Sequence, residues 1–240
     1  MKLVQTTKSW ISNQPINEQK VIEEYLITID PEEKRSVNVL LRFLYIAELN
    51  ISRAIELVNI FDDVWSKVDK AASDEDVLRE LKTGKYAKGG VDIQGRGVMQ
   101  IYVKEHIPSD FEVAVMIKTL FLVMDMVLSD IETAKGGLVW VCHMEGSGWN
   151  NFNLQLQKEF ANLFKVFGSS ALKMCGSVNI VDSPWWISGA LVLCRPFIGA
   201  FSDKIQTHSQ ESIKASLGSA FVVNESLYEK FRSGNLYRWK

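Results

Sequence analysis

Residues 184–201 read Pro-Trp-Trp-Ile-Ser-Gly-Ala-Leu-Val-Leu-Cys-Arg-Pro-Phe-Ile-Gly-Ala-Phe, and Arg195 is the only formal charge among them. A helix on the surface of a soluble protein carries a polar stripe at every turn, and this stretch has almost none. It is also too short for a membrane span, which takes about 20 apolar residues, and Pro196 interrupts it. An apolar element of this kind has to cover something apolar: ordinary core, a greasy ligand, or a membrane surface met transiently. The segment just before it, Ser177-Val-Asn-Ile-Val-Asp-Ser183, reads as a buried strand.

Working outward, the same alternation of short strands and longer helices runs through the second part of the chain. Strands are expected at 98–103, 138–142, 178–181 and 204–207. Helices are expected at 109–131, opened by Ser109-Asp110, at 150–167, at 186–198 and at 211–217. In the second of these, Phe152, Leu156, Phe160, Leu163 and Phe164 fall on one side. Strands alternating with helices of this length need crossovers, and so a mostly parallel sheet. The first third repeats only at helical spacing, through Val37, Leu40, Leu41 and Leu44 and then Ile55, Val58, Phe61 and Trp65. Polar joints at Asp30-Pro31 and Leu49-Asn50 separate these helices, and Ser73 to Asp76 forms a cap and acidic first turn for another. The glycine-rich stretch 82–97 reads as a connector and domain boundary, which predicts an all-α domain over 1–84 and a second domain over 85–240. The tail 221–240 has no clear pattern.

At 240 residues, 47% hydrophobic and 23% charged, the composition is that of a globular chain. A net charge of -2 argues against a dedicated nucleic-acid binder, which usually carries a basic stripe. No run of four Lys or Arg is available for constant docking on anionic membranes. Cys142, Cys175 and Cys194 all lie in apolar surroundings, as thiols of a reducing compartment do, and residues 1–8 lack the apolar core of a signal peptide. A cytoplasmic protein is expected. Catalytic motifs fail one by one. Gly89, Gly90, Gly95 and Gly97 precede a strand, whereas a phosphate loop must open a helix. Cys142 and His143 are neighbours on a strand and face opposite ways, so they make no nucleophile and base pair. Gly146-Ser-Gly148 lacks the spacing of a nucleophile elbow, and His106, His143 and His208 are read as structural. No enzyme and no metal site are expected.

Taken in order, the segments resemble the CRAL-TRIO family, the lipid-binding fold of phosphatidylinositol-, tocopherol- and retinal-carrying proteins. Leu40-Leu-Arg-Phe-Leu44 and Leu49-Asn-Ile-Ser-Arg-Ala54 are similar to its Leu-Leu-Arg-Phe-Leu helix and the start of the next. Gly95-Arg-Gly-Val-Met99 stands where the family has a Gly-Arg-Pro-Val turn. Val139-Trp-Val-Cys-His-Met-Glu-Gly146 resembles a strand ending in Asp-x-x-Gly, with His143 in place of the Asp. Asn179-Ile-Val-Asp-Ser-Pro184, Arg195-Pro-Phe-Ile198 and Lys204-Ile205 resemble its Ile-Ile-Asn-x-Pro, Lys-Pro-Phe-Leu gate and Lys-Ile segments. The likeness spans about residues 35–207.

The resemblance implies an α/β fold: a mostly parallel sheet flanked by helices, a small N-terminal helical domain, and an apolar cavity closed by the helix of 185–201. It implies no cofactor, a lipid as the bound ligand, and transient membrane association. A guest of about 20 buried carbons gains about 0.8 kcal/mol per methylene. The expected lining is Met99, Ile101, Val103, Leu138, Trp140, Cys142, Val178 and Ile180 from strands, because alternate residues share a face. Trp185, Trp186, Leu191, Cys194 and Phe197 are expected from the lid, with Arg195 and Lys204 at a head group or membrane. Departures bear on the ligand. Ala47-Glu48 replace a phosphate-contacting basic pair, Ala171-Leu-Lys-Met174 replace a Tyr-Pro-Glu-Arg run, and Leu138 and Trp140 replace hydroxyls that meet a choline head group. These changes imply a drier cavity and a weakly polar lipid. The family's Leu-Pro-x-Glu-x-Gly-Gly ending is also missing. Trp140 supports a second reading, a scaffold with a filled cavity that recruits an unspecified protein partner at membranes.

Overall fold

A computed structural model describes residues 5–32, 35–110, 112–168, 170 and 176–233. Helices α1 (Gln5–Ser12), α2 (Ile16–Ile29), α3 (Val37–Ile46), α4 (Ile51–Ala71) and α5 (Asp74–Lys82) come first. The Asn50 side chain caps α4 by accepting from the Arg53 N–H. Ser73 and Asp76 close a reciprocal capping box on α5. Helix α3 buries Leu40, Leu41, Phe43, Leu44 and even Arg42, so it lies inside the bundle, covered on all sides.

The sheet contains β1 (Tyr86–Val91), β2 (Gly97–Tyr102), β3 (Leu138–His143), β4 (Ser177–Val181), β5 (Ile205–His208) and β6 (Glu225–Ser226), in the order β5-β4-β3-β2-β1-β6. Strands β2 to β5 are parallel, and β1 runs antiparallel to both β2 and β6. The sheet is therefore mixed, with the expected parallel part intact. Helices α6 (Val113–Val127), α7 (Ile131–Gly136), α8 (Leu154–Phe167), α9 (Ile187–Ile198), α10 (Gln210–Leu217) and α11 (Leu227–Arg232) complete the described elements. One apolar core runs from Leu41 and Phe61 of the bundle through Phe121 of α6 to Met99 and Trp140 of the sheet. The opposite sheet face, Val98, Val139, Val141 and Val181, packs on Ile213 and Leu217 of α10.

Three sequence expectations are corrected. The stretch 82–97 is no mere connector, since it holds β1. Gly89 and Gly90 are needed because the turn at 218–221 lies flat on that strand: a Cβ on Gly89 would stand 2.9 Å from the Ala220 carbonyl oxygen and from Val98, and one on Gly90 would stand 2.9 Å from Ala220 Cα. The single helix expected over 109–131 is divided. A 3-10 turn at Pro108–Asp110 precedes α6, and Asp130 caps the separate α7 by accepting from the Thr133 N–H. The unassigned tail supplies β6 and α11, while 234–240 and residues 171–175 lie outside the described residues.

Candidate functional site: an apolar cavity under helix α9

Parallel pairing places Ile101 beside Cys142 and Cys142 beside Ile180, and Trp140 beside Val178, all on one sheet face. Helix α9 supplies part of the wall of a partly open pocket of about 220 Å³ on that face. Of the residues expected from sequence, Ile101, Val103, Trp140, Cys142, Val178, Ile180, Trp186, Leu191 and Cys194 line it. Met99 and Leu138 do not; both are fully buried in the main core. They occupy the correct face but the N-terminal half of their strands, where α6 packs on β2 and fills the space. Trp185 is 91% exposed, because the turn into α9 sends Trp186 inward onto Ile180 and Met144 and leaves its neighbour outside. The Phe197 side chain lies outside the described residues. Arg195 and Lys204 are both exposed on the surface.

Sequence reasoning missed the wall opposite the sheet. Met116 and Leu120 of α6 contribute to it, as do Phe152, just before α8, and Leu156 and Phe160 within it. The i, i+4, i+8 spacing of that last trio was legible, but nothing local said what the stripe faced. Lys85, Tyr86, His106, Asn151 and Gln157 also reach the wall. Lys85 is held by an ion pair with Glu80.

Electrostatically the cavity is quiet. Burial pushes the Cys142 thiol up to about 12 and also raises that of Cys194, so both stay protonated and weakly nucleophilic. Burial, helped by the Lys85 charge, lowers His106 to about 4, so the ring is neutral at pH 7. His143 lies on the other face, stacked on Tyr102 at 4.6 Å with Nε2 2.9 Å from Gln100 Oε1. Gln100 in turn donates to the carbonyls of Phe221 and Val223. Its Oε1 is therefore the acceptor, and His143 carries its proton on Nε2. Among the described residues no three His, Cys, Asp or Glu side chains gather as a metal-holding group, and no helix is long and apolar enough to cross a membrane.

The CRAL/TRIO domain model matches residues 81–230. This chain belongs to the CRAL/TRIO family. CRAL/TRIO domains are generally lipid-binding domains. The chain is similar to tyrosine-protein phosphatase non-receptor type 9 of Mus musculus and of Homo sapiens, each 32% identical over 155 residues. That match takes in 63% of this chain and 26% of each phosphatase, so the chain spans about a quarter of the length of these relatives. The crystal structure of Sfh5 superposes with a TM-score of 0.53 over 98% of both chains at 11% identity, a likeness of fold.

Proposed function

We propose that this CRAL/TRIO chain carries a weakly polar lipid in the cavity beneath α9 and exchanges it at a membrane surface. The observation that supports this most is the cavity itself. Protein interiors are close-packed, with few voids larger than a water molecule, and one water needs only about 10–15 Å³ of such space. A pocket of about 220 Å³ walled mostly by aliphatic, aromatic and thiol side chains is space that an apolar guest can fill. The outer surface of α9 supports the membrane step. Val192 is 65% and Leu193 47% exposed, beside the bare Trp185. Pro196 supplies no N–H to the carbonyl one turn back, which weakens the end of this helix as a hinge would require.

In this reading residues 1–84 form the helical part and 85–240 the lipid-binding domain, Arg195 and Lys204 meet the membrane or a head group, and the protein is cytoplasmic, a carrier and not a catalyst. The ligand is weakly polar because Lys85, the cation at the wall, is already engaged by Glu80. A second reading, a scaffold whose cavity is filled by its own side chains and which recruits a partner at membranes, draws on the size of the space. It lies below the roughly 300 Å³ at which small-molecule pockets usually begin, and Trp140 stands in it. Native mass spectrometry after gentle purification, with extraction of lipid from vesicles, separates the two. Co-purified or extracted lipid is expected. A chain that is always empty and extracts nothing would leave the scaffold.

A further inference from the structure

Resting on that lipid reading, we infer that the pocket widens for its guest at one corner, between the 3-10 turn Trp149–Asn151 and the first turn of α9, and that Trp149 is the clasp restraining that corner. At about 220 Å³ the pocket lies below the roughly 300 Å³ at which small-molecule sites usually begin, so a long-chain lipid needs a wall to give. Most walls are tied to the main core. Trp140 and Val178 of the sheet, Leu120 of α6, and Leu163 and Phe167 of α8 all belong to it. The near end of α9 is held differently: Trp186 and Ala190 pack in a separate small cluster with Met144 and Ile180. Its far end, at Ile198, packs against the main core.

Rings grip that near end. Trp149 meets Trp186 edge-on, with centroids 5.7 Å apart at 87°, and meets Phe152 at 5.1 Å and 35°. Phe152 and Trp186 both line the pocket, one from the approach to α8 and the other from the start of α9. Trp149 bridges the two and is itself 50% exposed. One jaw of this clasp is fixed. Asn151 donates to the carbonyls of Lys104 and His106 at 3.1 and 2.9 Å and accepts from the Gly148 N–H at 2.8 Å. The other jaw can move. Trp186, the N-cap of α9, makes no side-chain capping hydrogen bond, and at the opposite end Pro196 denies a hydrogen bond to the Val192 carbonyl. These two points lie about 15 Å apart along the helix, so a kink of about 20° at the proline swings Trp186 by about 5 Å. Hinge and clasp stand at opposite ends of one helix.

The test uses the whole chain and no lipid. Cys194 lines the pocket from α9 and is 5% exposed, so its alkylation by N-ethylmaleimide, followed on its own peptide by mass spectrometry, reports widening. Trp149→Ala is expected to speed this alkylation about three- to tenfold, the size of a lost aromatic contact. Trp149→Phe, which keeps a ring, should stay near the native rate. Below the unfolding transition the rate should depend only weakly on urea, because local widening exposes little surface. A native rate in Trp149→Ala, an equal acceleration in Trp149→Phe, or a urea slope as steep as that of global unfolding each overturns the inference. If Trp149→Ala fails to fold, Trp149→Leu takes its place, and the urea slope of the unaltered chain decides independently. Extraction of lipid from phosphatidylcholine vesicles by the unaltered chain is read separately. Extraction alongside a native alkylation rate in Trp149→Ala sinks the clasp alone, whereas the expected alkylation without any extraction keeps the clasp and sinks the carrier.

Discussion

Arg42 lies 2.8 Å from the Asp125 carboxylate, with the two side chains 4% and 5% exposed. Burial pushes the Asp125 carboxyl up, and the guanidinium beside it pulls it back. Removing one member of such a pair strands a buried charge and costs about 3–5 kcal/mol, whereas an apolar pair of similar volume is often neutral. Arg42→Met is therefore expected to lower the unfolding free energy by about that amount, and Arg42→Met with Asp125→Leu to recover most of it, as read from urea titration. His106 gives a pH signature. Its folded value of about 4 lies below the ordinary 6.5, so the unfolded chain takes up a proton first as the pH falls. The stability is whole above about 6.5 and declines toward 4. Burial lowers His143 as well, which adds a decline in the same direction. His106→Asn should flatten part of the slope between pH 7 and 4 in unfolding measured at stepped pH, and an unaltered slope would assign the decline elsewhere. Neither residue was legible in advance. Asp125 was a blemish in an apolar run and His106 a lone histidine until the partners packed around them.

At the scale of elements, β1 was hidden by its own glycines. A glycine marks a turn in one place and a close approach in another, and only the neighbour decides which. Gly84 and Gly95, with φ of 77° and 78°, are turn residues, whereas Gly89 makes room for the 218–221 segment. Gly89→Ala is expected to cost about 1–3 kcal/mol by overpacking, seen as a lower thermal midpoint. A native midpoint would mean that the segment yields. Helix α9, by contrast, was legible from composition alone, because its lack of charge admits few environments. Leu191→Asp, which would put a carboxylate against the guest, should abolish lipid extraction from vesicles. Retained extraction would take α9 away from the cavity.

At the scale of the whole molecule, the bundle and the sheet share one core. Phe61 and Phe121 meet at 4.7 Å with their rings tilted by 48°, and Lys118 of α6 donates to the Ala72 carbonyl and pairs with Asp69 and Asp74. Calorimetry of the chain is expected to show one unfolding transition, since the helices of 1–84 and the sheet lose the same contacts together. Two well-separated transitions would show that the shared core is energetically minor. The same core joins Leu41 and Phe61, before the glycine-rich stretch, to Met99 and Trp140 after it.

What the sequence determined by itself is what local period can carry. The parallel strands at 98–103, 138–142, 178–181 and 204–207, the helices between them and the apolar helix of 186–198 follow from spacings of two and of about 3.6 residues, and so does the separation of Cys142 from His143. Tertiary structure alone decided how deep the cavity runs. Met99 and Ile101 share a face and a strand, yet α6 covers one while the other is left for the cavity. It likewise decided which of Trp185 and Trp186 turns inward, and that 225–232 closes the sheet edge. Periodicity names a face, but what lies against that face comes from segments far away in the chain.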